Sequence, residues 1–496
     1  MGTKVDKIYK VILISFLSML MATGWAQKSI VYQPEQMQAD LSKFKTALIK
    51  IHPGTYTHQS HEDFEQIVNN LMLETSKPLE ATAFYKIVLK MIASIHDGHT
   101  QAYAFGKLGS IINNQKRLPF QVYIRNERIF IMKNMSSLKI SEGSEILALD
   151  GHLSNEIIFE ILAHYSSDGK SHSGMHHWLG GPYKSFNRLF PEIYGEQSLY
   201  NLVYRDYKSK KIVTAKIDAI SKETYGTIES KKYPSKNIAE EAFNFEMKEK
   251  ENYAYLKISR FFKDGYDEPE NTYPDFYKKC FEEISDKNIQ NLIIDLRDNG
   301  GGKASNAAYL LQYFIDKPIT PAKEILTLGN DEYFLGITGD TLKLDDYFGL
   351  IPKKDSTFKV TKSEVLRDLM NYNPIKEYRY TGRLIVLING GTTSAAGIAA
   401  GLLKEYTDAA FVGEETYGYA GISNGVRQIS IKGDHTETAI YLPLLHAEYA
   451  MDEHIQKRSV VPDYQISNSV QDILNNRDAV LEFVFKKLLP RENKHH

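Results

Sequence analysis

The stretch Arg383-Leu-Ile-Val-Leu-Ile-Asn-Gly-Gly-Thr-Thr-Ser-Ala-Ala-Gly-Ile-Ala-Ala-Gly-Leu-Leu-Lys404 decides how this chain is read. Leu384 to Ile388 is a continuous apolar run of strand length, as a fully buried strand requires. Asn389 to Thr393 supplies turn formers, and the small residues from Ser394 onward predict a helix as far as Tyr406. A serine at a strand-to-helix turn stands where backbone N–H groups are unpaired and the helix dipole favours negative charge. Those conditions stabilise an oxyanion beside a nucleophile. Serine is equally a favoured helix N-cap, so the rest of the chain has to separate the two roles.

A second strand-to-turn segment is Asn291-Leu-Ile-Ile-Asp-Leu-Arg-Asp-Asn-Gly-Gly-Gly302. Glycines at such a turn let the backbone approach a ligand closely and aim its N–H groups at an anion. A phosphate loop is excluded, because Arg297 holds the first glycine position of that motif and Ala304 follows Lys303. The dinucleotide fingerprint fails as well, since Ser305 stands at its third glycine. An oxyanion donor fits these glycines better than a nucleotide cradle.

Around the two segments, strands and helices alternate. Strands are expected at Tyr253–Ile258 and over 289–295, and helices over 273–284 and 305–315. The alternation predicts an α/β domain over 226–490, with an irregular charged excursion over 331–378. The N-terminal part, 27–110, shows three helical periodicities: Leu41, Phe44, Leu48 and Ile51; Phe64, Ile67, Leu71 and Leu73; and Phe84, Ile87, Val88, Met91 and Ile92. Between them, residues 111–225 read as short strands. There Gly143-Ser-Glu-Ile-Leu-Ala-Leu-Asp-Gly151 ahead of a helix resembles the core of a PDZ domain, which adds a peptide strand to its own sheet edge.

At 496 residues with a formal net charge of −2, the chain suits several domains and lacks the basic excess of a nucleic-acid binder. Lys4, Lys7 and Lys10 precede the apolar run from Val11 to Ala22, and Ala26 stands before polar Gln27. This is the layout of a cleavable export signal over 1–26, with no stable membrane anchor expected once it is removed. A secreted or periplasmic protein is therefore expected. Cys280 is the sole cysteine, so no intramolecular disulfide is available.

Ile95-His-Asp-Gly-His-Thr100 offers His99 as an exposed general base just beyond a helix, with His96 falling inside the helical pattern as a packing residue. His172, His176 and His177 raise a metal site, but Ser166 to Gly174 reads as a loop, solvated or lining the cleft, and no metal is expected.

Together, Asp-Leu-Arg-Asp-Asn-Gly-Gly-Gly302, Thr-Ser-Ala-Ala-Gly397 and Gly413-Glu-Glu-Thr-Tyr-Gly418 resemble the tail-specific (C-terminal-processing) serine protease family. That family includes the tricorn core protease and interphotoreceptor retinoid-binding protein. The resemblance covers most of the chain after residue 26. It implies a mixed α/β multidomain protein with a ClpP/crotonase-like catalytic domain, an N-terminal helical bundle and a PDZ-like insert. It further implies Ser394 as nucleophile, and Ala395 with Gly300 or Gly301 as oxyanion donors. A polypeptide substrate, recruited by its C-terminus through the PDZ-like part, follows from the same resemblance, with no cofactor. Val461-Pro-Asp-Tyr464 matches a signature that closes the domain. Family members with a Ser–Lys dyad carry their lysine where this chain has Tyr419, 25 residues after Ser394. Tyrosine ordinarily titrates near pH 10 and is a poor base at neutral pH. The tricorn-like branch uses an upstream histidine instead, which implies His99, and a late glutamate, for which Glu453 is the candidate. The loss of the lysine keeps a non-catalytic ligand-binding protein in view, and an esterase using the same Ser–His pair is a further alternative.

Overall fold

The computed structural model describes residues 30–169, 171–181, 185–234, 241–263, 269, 271–329, 344, 348–362, 372–425 and 427–489. The expected export signal lies outside the described residues, as does much of the charged excursion over 331–378.

The continuous apolar runs become the centre of a six-stranded sheet. Its order is Phe243–Lys248, Tyr253–Ile258, Asn291–Asp295, Arg383–Ile388, Ala410–Gly413 and Tyr464–Gln465, parallel except for the first pair. Asn291–Asp295 and Arg383–Ile388 run side by side, with Ile293 opposite Ile385 and Asp295 opposite Leu387. Both strands are buried on both faces, the reason their sequences do not alternate. Leu292, Ile294, Leu384 and Val386 join the main core, whereas Ile293, Ile385, Leu387 and Val412 pack against Val480, Val484 and Leu488 near the C-terminus. Helices Thr272–Asp286, Ala304–Leu311 and Ala395–Tyr406 belong to the same α/β part. Asp463 fastens the outer edge: its carboxylate accepts the Phe411 N–H at 2.8 Å and binds Lys404 Nζ at 3.1 Å. Because parallel neighbours end together, the turns after Asp295 and Ile388 emerge side by side at the carboxyl ends of the strands, where open α/β sheets bind their ligands.

The three N-terminal periodicities fold as Pro34–Ile51, His61–Glu74 and Ala81–Ala93. Ser60 caps the second by accepting the Asp63 N–H at 3.0 Å, and Asp63 reaches back to Ser60. The β-rich part is an antiparallel sheet ordered Phe120–Arg125, Arg128–Asn134, Glu145–Leu149, Leu199–Arg205 and Ile212–Asp218, with helix Ser154–Leu162 beside it. Ser166 to Gly174 was expected to be a loop, but a helix runs over His172–Gly180. Its Gly-, Ser- and His-rich sequence has poor intrinsic propensity. Packing decides instead: a Cβ on Gly180 would lie 2.8 Å from the Ile124 nitrogen, so the helix approaches the sheet closely because it ends in glycine.

A small antiparallel sheet ties the N-terminal part to the C-terminal half. Gln101–Ala104 pairs with Thr438–Pro443, which pairs with Gln428–Lys432. Asp40, on the first helix and 1% exposed, locks this hairpin. Its carboxylate accepts N–H groups of Asp434, His435 and Thr436 and the Thr436 hydroxyl. Asp40→Ala would strand the buried Thr436 N–H and hydroxyl, at about 1–3 kcal/mol for a stranded group. We expect a loss of about 3 kcal/mol in urea unfolding. A loss below about 1 kcal/mol would show that water replaces the carboxylate.

Candidate active site

Ser394 precedes the helix Ala395–Tyr406 with φ 54° and ψ −127°. A non-glycine residue in this region is strained by about 1–3 kcal/mol, and such strain concentrates at functional sites. Its side chain caps nothing. The hydroxyl instead faces His99, with Oγ 3.4 Å from Nε2 across 295 residues of sequence. The turn beneath it is pinned from inside: Thr392, fully buried, donates to the Leu296 carbonyl at 2.8 Å and receives the Asn389 N–H at 3.1 Å.

The neighbouring glycine turn touches the serine directly. A Cβ on Gly301 (φ 99°) would lie 2.8 Å from Ser394 Cβ. Buried Asn299 organises this turn, accepting the Gly301 N–H at 2.8 Å through Oδ1 and donating to the Ile258 carbonyl at 2.9 Å. The Gly301 N–H is thus engaged, whereas those of Gly300 and Ala395 have no acceptor in the described residues. Asp298 and Asn389 join the two turns: Asn389 Oδ1 accepts the Asp298 N–H and Nδ2 donates to Asp298 Oδ1, both at 2.9 Å. His177, from the unforeseen helix, sets Nε2 3.0 Å from Asp298 Oδ1. Burial alone would raise the Asp298 carboxyl, but His177 and Asn389 outweigh it and hold it at about 2. Of the three histidines weighed for metal, His177 thus stands beside the glycine turn.

His99 is not exposed as expected: its side chain is 20% accessible. A Cβ on Gly425 would fall 2.4 Å from its Nε2, so that glycine leaves the nitrogen room. The helix before it stops at Ala93, and His96 lies beyond its end at φ 54° beside Ser167 rather than packed within it. Behind His99, Nδ1 is 3.6 Å from Asp97 Oδ1, just over hydrogen-bond length, and Asp97 is 2% exposed. Asp97 Oδ2 accepts from Thr100 Oγ1 at 2.6 Å and lies 2.9 Å from His52 Nε2. The Gly54 N–H donates to His52 Nδ1, so the His52 proton belongs on Nε2, facing Asp97. Burial would raise the Asp97 carboxyl, but His52 and His99 hold it well below the usual carboxylate range. For His99 burial favours the neutral ring, yet Asp97 and the charge of Asp168 lift it to about 9.

Glu453 stands apart. It is exposed at the start of the short helix Glu453–Gln456, and the carboxylate beside His99 Nδ1 is that of Asp97. Tyr419 packs edge-on against His58, with ring centroids 4.6 Å apart. Asp97 was legible as a carboxylate two residues from the histidine; Asp168 and His52 carried no local signal, and His177 stood out only as a metal candidate.

The model of peptidase family S41 matches residues 252–466. The chain is 24% identical over 192 residues to carboxyl-terminal-processing peptidase 2, chloroplastic, of Arabidopsis thaliana, covering 39% of this chain and 29% of that protein. It is 29% identical over 139 residues to the carboxy-terminal processing protease CtpA of Bacillus subtilis (strain 168), covering 28% and 22%. The matches thus span under a third of these relatives' lengths. Mature CPAF complexed with lactacystin shares the fold at a TM-score of 0.61 and 15% identity, over 91% of this chain and 97% of that one. The matched residues hold both carboxyl-end turns and the strained serine, so the likeness to peptidase family S41 falls on the part of the chain that builds the site.

Proposed function

We propose that the chain is a serine endopeptidase working through an acyl-enzyme on Ser394. The observation that carries this reading is the approach of Ser394 Oγ to His99 Nε2 at 3.4 Å, beside two N–H groups without an acceptor among the described residues. Distances of this kind shorten when substrate binds. Neutral His99 takes the Ser394 proton on Nε2 as Oγ attacks the scissile carbonyl. Asp97 faces Nδ1–H, orients the ring and stabilises the imidazolium. The N–H groups of Gly300 and Ala395 receive the oxyanion. The imidazolium then protonates the departing amine, and water activated by the same ring releases the acid. Tyr419 has no proton-transfer role in this scheme.

Selection of substrate C-termini by the β-rich part is a further element of the reading, supported by the free edge of its sheet at Ile212–Asp218. Export with cleavage after Ala26 is another, supported by the lysine-led apolar segment, and N-terminal sequencing of the processed protein tests it.

Labelling with a fluorophosphonate probe tests the core of the proposal. Wild type and Tyr419→Phe are expected to label, whereas Ser394→Ala is silent and His99→Ala slows by at least about 10²-fold. A folded wild type that never labels returns the chain to a ligand-binding role.

A further inference from the structure

Residues 415–419, where a dyad lysine would be sought, are stitched to residues 166–173 of the β-rich part. Ser173 Oγ donates to the Glu415 carbonyl at 2.8 Å, Ser171 Oγ to the Thr416 carbonyl at 3.0 Å, and the Tyr417 hydroxyl to the Ser166 carbonyl at 3.3 Å. The stitched loops enclose Asp168 between two glycines. A Cβ on Gly418 (φ 86°) would lie 2.6 Å from Asp168 Cβ, and one on Gly98 would lie 3.2 Å from its Cγ. Tyr419 closes the slot, because a Cβ on Gly169 would meet its ring at 2.9 Å. Within the slot Asp168 Oδ1 accepts the Gly98 N–H at 2.7 Å. Asp97, His99 and Asp168 each place a side-chain N or O atom within 4.8 Å of the other two.

We propose that Asp168 is a positioning residue acting through His99. With Asp97 it forms a two-carboxylate cradle behind the imidazole, and residues 415–419 hold that carboxylate in place instead of supplying a lysine. The proposal rests on the reading of His99 as the base.

Among the described residues, three titratable groups face this cradle from neighbouring segments. His52, near the end of the first helix, binds Asp97, and His446, on the strand His446–Tyr449, feels both His52 and Asp97. The Tyr417 phenol is kept neutral, first by burial and then by the Asp168 charge. Burial and the charge of Asp97 raise the Asp168 carboxyl, while His99 pulls it down. The two carboxylates therefore hold a proton on His99 at neutral pH, in keeping with its rise to about 9. That proton must leave before the ring can accept another from Ser394. Peptidase activity is then limited at pH 7 and climbs as pH rises through the His99 titration.

The pH dependence of kcat/KM tests this directly. Asp168→Asn is expected to move the acid limb down by roughly 1–2 pH units. The rate at pH 7 then rises about tenfold or more, since each unit is a factor of ten in neutral imidazole. Asp168→Glu keeps the charge and the wild-type limb; Gly418→Ala pushes Asp168 aside and moves the limb with Asp168→Asn. A limb that stays put in Asp168→Asn while rates fall at every pH marks a merely structural residue and overturns the proposal. The same titration followed by NMR of His99 in a Ser394→Ala background needs no hydrolysis. An imidazole unmoved by Asp168→Asn overturns the role of Asp168 while leaving the peptidase reading intact. A shifted imidazole supports it even if no peptide is cleaved.

Discussion

Ser394→Ala is expected to lower kcat/KM for peptide hydrolysis by about 10⁴-fold or more, with the fold retained. Among the described residues the serine hydroxyl has a single partner, His99 Nε2 at 3.4 Å, and it caps no N–H group of its helix. Alanine keeps the Cβ against which Gly301 packs. Stability should therefore change by less than about 1 kcal/mol in thermal or urea unfolding. His99→Ala should cost nearly as much activity, and the double variant little more than either alone, because the two act as one unit. Additive losses would mean independent roles. A Ser394→Ala rate within about tenfold of wild type would remove the serine from the mechanism altogether.

The halves of that unit differed in how far the sequence disclosed them. Ser394 was legible because local chemistry determines its setting: an apolar strand, turn formers and a small-residue helix predict the turn on which it sits. The same holds for Asn291 to Gly302, whose glycines occupy positive φ at Gly301 and Gly302. His99 was readable as a motif, but its 20% exposure depends on Gly425 and Gln428, more than three hundred residues away. Asp168 was invisible, and His177 legible only as a metal candidate, for the same reason. They reach the site on a loop and a helix whose placement comes from packing on a distant sheet, and periodicity does not report that. Glu453 rests on a resemblance alone, whereas Asp97 stands beside His99 in the structure.

The second large effect concerns a residue with no side chain. Gly301→Ala is expected to reduce kcat/KM by about 10²–10³-fold, the loss that follows removal of one oxyanion donor elsewhere. Gly301 has φ 99°, and its added methyl would lie 2.8 Å from Ser394 Cβ and 3.0 Å from both the Ala395 nitrogen and the Thr393 carbonyl oxygen. The turn cannot swing away, because the Gly301 N–H is bound by Asn299 at 2.8 Å and its carbonyl by the Phe261 N–H at 2.7 Å. Relief must therefore come from the nucleophile turn, which shifts Ser394 away from His99 and crowds the Ala395 N–H proposed to receive the oxyanion. The positive φ adds a folding penalty of about 1–2 kcal/mol. Gly226→Ala is the control: nothing lies within 4 Å of its Cβ, and it sits in the helix Lys222–Lys232, far in sequence from both turns. It should leave activity unchanged and stabilise the fold by about 0.5–1 kcal/mol. If Gly301→Ala retained full activity at wild-type stability, the oxyanion would have to lie away from the Ser394–Gly301 contact, and the assignment of Ala395 would fall with it.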